Sequence, residues 1–119
     1  MSDDKFLDAL SDVVWRFHAY DSYGRDPKKA VKALARRAPG YSPEYYREMF
    51  ELDLRLLQAT IKALEDAPKA PQPGRQVYSR YEDVDTEFML RQLRVEFPDQ
   101  AETYLKSHIG MVIYWYYLR

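Results

Sequence analysis

Seven prolines and four glycines divide this chain, and each stretch between the marks carries a helical hydrophobic period. The marks fall at Gly24, Asp26-Pro27, Pro39-Gly40, Ser42-Pro43, the stretch Ala67 to Arg75, and Phe97-Pro98. Proline removes a backbone donor and fixes φ, and glycine loses the most freedom on ordering, so both gather where regular structure stops. The pattern predicts an all-α chain, a compact bundle of about five helices.

The first helix is expected from about Asp4 to Tyr23, with Phe6, Leu7, Leu10, Val13, Val14 and Phe17 on one face and Gly24 closing its end. Asp26 caps the second, and Pro27 takes its first position, where a missing N–H costs nothing. That helix stops near Ala38. Ser42 and Pro43 repeat the device and open a third helix through about Asp66, striped by Tyr46, Met49, Phe50, Leu57, Ile61 and Leu64.

Three prolines and one glycine within Ala67 to Arg75 exclude both helix and strand, which makes residues 67–79 a surface loop within a single domain spanning 1–119. A fourth helix follows from Asp83 or Asp85 to Phe97. Its apolar residues split between Leu90, Leu93 and Phe97 on one side and Val84, Phe88 and Val95 on the other, as in a sandwiched helix. Asp99 with Glu102 has the spacing of a capping box and opens a fifth helix to the C-terminus. Met111 to Leu118 is strand-like in composition but has no second strand to pair with, so it is assigned to that helix.

The chain has 119 residues, of which 46% are hydrophobic and 31% charged, enough for one core and too polar for a membrane protein. No run approaches the roughly 20 apolar residues of a membrane span. The polar, acidic start lacks the basic and apolar regions of a secretory signal, and the absence of cysteine removes disulfides and sulfur-ligated zinc. A cytoplasmic protein without membrane contact is expected.

The glycines lie too far apart for a phosphate or dinucleotide loop, and no serine sits in a G-x-S-x-G elbow, so no catalytic motif is recognisable and no cofactor is expected. His108 lies at the centre of the fifth helix's apolar arc, among Tyr104, Leu105, Met111, Val112 and Trp115. His18 stands at the edge of the first helix's apolar face, with Asp21 one turn later. Facing helices could bring His18, Asp21 and His108 together as metal ligands or an acid/base pair. The plainer reading makes His108 a hydrogen-bonded core imidazole and His18 a boundary residue.

Asp53 falls among Met49, Phe50, Leu57 and Thr60 on the third helix's apolar side, where a carboxylate must find a partner or take up a proton. It is either a site residue beside Asp21 or a histidine, or the partner of Arg16, Arg91, Arg94 or tyrosine hydroxyls. The favoured reading is structural.

Arg25 to Ala38 holds six cations against Asp26 alone, although the formal net charge of the chain is −1. Lys28, Lys29, Lys32 and Arg36 form a basic patch opposite Ala30, Val31 and Leu34. The next helix opens with Glu44, Glu48 and Glu51 beside the single Arg47, which opposes a helix-turn-helix reading and makes nucleic acid an unlikely partner.

Eleven tyrosines and two tryptophans are many for a chain of this size. Trp15 lies off its helix's apolar stripe, and Tyr114, Trp115, Tyr116 and Tyr117 point in four successive directions. Tyr and Trp favour interface cores, and the other reading threads the C-terminal helix through the chain's own bundle. The expectation is a protein–protein interaction module that self-associates as a homodimer through these residues. The alternative is a small enzyme or a ligand- or metal-binding bundle with an internal pocket around His108, Asp53 and His18.

Overall fold

The computed structural model describes residues 4–68 and 84–115. It is all-α: α1 (Asp4–Tyr20), α2 (Pro27–Arg37), α3 (Pro43–Asp66), α4 (Thr86–Glu96) and α5 (Glu102–Ile113), with no strand among the described residues. Most of the expected loop, residues 69–79, lies outside the described residues. The chain divides into two compact units, Met1–Arg55 and Leu56–Arg119, with the boundary inside α3.

In the first unit α1 packs on α2. The Asp26 carboxylate accepts from the Lys28 N–H at 3.0 Å with Pro27 at the first turn, and Ser42 Oγ accepts from the Tyr45 N–H at 3.1 Å, so both predicted caps are present. Phe6, Leu10, Val13 and Val14 of α1 are buried, as are Ala30 and Leu34 of α2. Phe17 meets Phe50 of α3 edge to face at 5.2 Å.

The first helix departs from expectation in three ways. It ends at Tyr20 rather than Tyr23, because Asp21 takes a left-handed conformation (φ 54) three residues before Gly24. Aspartate tolerates this region better than most residues. Leu7, placed on the apolar face, is exposed, whereas Trp15, placed off it, is buried. Val13, Val14 and Trp15 are consecutive and all buried, so the covered arc spans about 200° of this helix rather than one stripe.

In the second unit α4 packs on α5. The Asp85 carboxylate accepts from the Phe88 N–H at 3.0 Å and caps α4. Met89, Leu90, Leu93 and Phe97 are buried and Phe88 is half-buried, but Val95 is 83% exposed, so the second apolar side expected of α4 is only partly covered. Val84 is buried from a position before the cap. The residue preceding α5 is Ala101, with no side-chain cap, so the expected capping box at Asp99 is absent. The chain is still turning at Pro98 to Gln100, and Glu102 pairs instead with Arg94 and Lys106.

Candidate functional site

The beginnings of α2 and α3 bound a half-open groove of about 500 Å3 within the first unit. Pro27 and Val31 of α2 and Pro43 and Phe50 of α3 supply its apolar lining. Their positions follow from local rules: Pro27 and Pro43 occupy first helical turns, while Val31 and Phe50 lie one and two turns further along. Phe50 is 1% exposed and Val31 half-buried, so the lining is continuous with the core of this unit.

The charged lining comes from Lys28, Lys32 and Arg47, with Asp26 and Glu51. The Asp26 carboxylate is engaged in capping α2. By contrast Arg37, at the far end of α2, is held with Arg16 on the Asp12 carboxylate of α1. Burial alone would raise the Asp12 pKa, but hydrogen bonds from Arg37 and Arg16 and the charges of both outweigh it and hold the carboxyl below its usual range. The described residues show no ion pair at Lys28, Lys32 or Arg47.

The four cations of the expected basic patch lie on α2. Lys28, Lys29, Lys32 and Arg36 are exposed, opposite buried Ala30 and Leu34. Arg47 and Phe50 had not been connected with that patch, because a groove between helix starts is a relation between residues nearly 20 positions apart. The one available signal was Arg47 itself, the lone cation among the glutamates that open α3.

His108 is 2% exposed, and its Nδ1 lies 3.2 Å from the Tyr104 carbonyl, to which it donates in the matching tautomer. The Tyr104 ring meets it edge to face at 4.9 Å. His18 is exposed at the end of α1. Asp21 lies outside that helix, exposed, and pairs with Arg25 at 3.4 Å, which removes it from the face that His18 shares. Asp53 is 2% exposed, as its position on α3 requires. Two of the arginines offered to it, Arg16 and Arg94, pair with Asp12 and Glu102. Among the described residues no three His, Asp or Glu side chains gather in a group able to hold a metal ion.

Several of the described aromatic residues contact one another. Phe6 contacts Tyr41, Tyr45 and Tyr46, and Tyr41 stacks on Tyr45 at 4.8 Å, within the first unit. At the end of α5 Tyr114 and Trp115 meet edge to face at 5.5 Å. Tyr116 and Tyr117 lie outside the described residues. Trp15, expected to face outward, is covered. No described helix is long and apolar enough to cross a membrane.

Comparison with protein-family models, characterised proteins and solved structures returned no match.

Proposed function

We propose that this chain is a small cytoplasmic protein–protein interaction module that associates with a second copy of itself. The observation that carries the reading is the aromatic end of α5. Leu105, His108, Ile109, Val112 and Ile113 are buried, so the helix has its own apolar side covered. Tyr114 then follows with 51% exposure, in contact with Trp115. A tyrosine–tryptophan pair offers large apolar area with polar tips, the composition that anchors protein interfaces. Two-fold pairing is the commonest way for a chain to cover such a surface with itself.

The supporting surface is smaller than the sequence suggested, since Ile109 to Ile113 are largely covered and Trp15 is buried. Among the described residues of α5 and its end it is confined to Tyr114 and Trp115. The alternative of an internal pocket around His108, Asp53 and His18 has less support, given the backbone partner of His108 and the exposure of His18.

Light scattering at micromolar concentration tests the proposal. The expected mass is about twice the 14.2 kDa chain mass, and Tyr114→Glu should shift it toward monomer with the helix content intact. A folded wild-type monomer throughout that range overturns it.

A further inference from the structure

The geometry points to the α2–α3 groove as a docking site for an acidic peptide segment that carries one bulky apolar anchor. This goes beyond self-association at α5 and draws on different residues.

Volume and lining set the anchor. A groove of about 500 Å3 is of the size that holds a ligand, and Val31 and Phe50 with the rings of Pro27 and Pro43 give it an apolar interior. One Phe, Trp or Leu side chain fits that description. Because the groove is half open, the chain on either side of an anchor can continue along its rim.

The rim sets the charge. Lys28, Lys32 and Arg47 border the groove, and among the described residues no carboxylate pairs with them. Asp26, which caps α2, and Glu51 are the two opposing charges of the lining, so its three cations leave it with a net positive charge. Lys29 and Arg36 extend the positive surface along α2, a helix without an acidic residue. An occupant with acids flanking its anchor meets these cations while the anchor is buried, and such complementarity adds specificity and speeds encounter. A nucleic acid fits less well. Its phosphates need a continuous run of cations, and the lining breaks its three cations with Asp26 and Glu51, whereas a short peptide has to meet only two or three of them.

The test is selection from a random peptide display library on the full-length chain, followed by titration of the enriched peptides. Enriched sequences should carry two or more Asp or Glu around a Phe, Trp or Leu. Their affinity should fall at least tenfold in Lys28→Glu/Arg47→Glu, fall again when the anchor is replaced by Ser, and weaken as salt rises. Circular dichroism checks the variant's fold, and Lys28→Gln/Lys32→Gln gives a milder second variant. The amides that shift on binding should map to residues 26–51. No enrichment, enrichment of neutral or basic sequences, or affinity unchanged in both charge variants overturns the proposal. A single-stranded DNA 20-mer that competes with the peptide would assign the groove to nucleic acid, and 4-phenylbutyrate binding as tightly as the peptide would assign it to small amphiphilic anions. Either outcome overturns the peptide assignment.

Discussion

The Tyr46 hydroxyl donates a 2.7 Å hydrogen bond to the Ala38 carbonyl, and the same oxygen accepts from the Tyr41 N–H at 3.2 Å. Ala38 closes α2 and Tyr46 lies in the first turn of α3, so one side chain spans the connection and satisfies two backbone groups outside the helical ladders. Tyr46 and Ala38 are each 5% exposed, which denies those groups ready replacement by water. Tyr46→Phe should therefore cost about 1–3 kcal/mol, read as a lower urea midpoint with helicity preserved. An unchanged midpoint would show that the hydroxyl contributes nothing net.

Asp12 joins α1 to α2 through Arg37 while Arg16 holds it within α1. Its native pKa lies below the ordinary 3.8, so the folded state favours the carboxylate more than the unfolded state does. The associated stability is fully present above about pH 4 and fades as pH falls through the lower native value. Solvent screening at a side chain 38% exposed limits the effect to about 1 kcal/mol or less. Asp12→Asn should lower the urea midpoint at pH 7 and leave it nearly unchanged at pH 2. In a carboxyl titration followed by NMR, Arg37→Gln should raise the Asp12 midpoint. A midpoint indifferent to Arg37 would separate the two side chains in solution.

Two aspartates at the starts of α4 and α5 should behave differently. Asp85 accepts from the Phe88 N–H, and Asp85→Ala should cost about 1 kcal/mol, the usual loss of an N-cap. Asp99 lies before the Ala101 that precedes α5, so Asp99→Ala should stay within about 0.5 kcal/mol. Chemical denaturation of both variants decides it. Equal losses would place a capping role on Asp99 after all.

Buried polar groups on α3 make a further pair. Thr60 Oγ1 donates to the Leu56 carbonyl at 2.6 Å, a bond back onto its own helix. Thr60→Val keeps the shape and leaves that carbonyl to the helical ladder, so it should change stability by less than about 1 kcal/mol. Asp53, 2% exposed, is a different case, since its removal strands whatever it holds. Asp53→Ala should cost about 3 kcal/mol in a denaturation midpoint. Comparable small losses for both would mean that Asp53 reaches water.

Legibility followed sequence distance. The caps at Asp26 and Ser42 were readable because a side-chain oxygen and the N–H it accepts lie two or three residues apart. The burial of His108 was readable because apolar residues at i±3 and i±4 surround it on one helix. Val95 was misplaced because an apolar residue on an outer helix face reads as buried, and only the packing reveals that it is 83% exposed. Gly24 was given the end of α1 on the strength of its residue type, while Asp21 adopted the same left-handed region first.

The sequence by itself determined the helix class, the number of helices and most of their boundaries, because these rest on dihedral preferences and hydrogen bonds within one turn of chain. It also determined that α2 would present cations opposite Ala30 and Leu34, since a helical period distributes side chains without reference to neighbours. Only tertiary structure decided that Arg37 would reach Asp12, that Trp15 would be covered, and that Arg47 would share a groove with Lys28 and Lys32. Each of these needs two segments to approach at a particular angle and offset. That approach is set by how all the side chains of a core fill space together, a sum that no local pattern encodes.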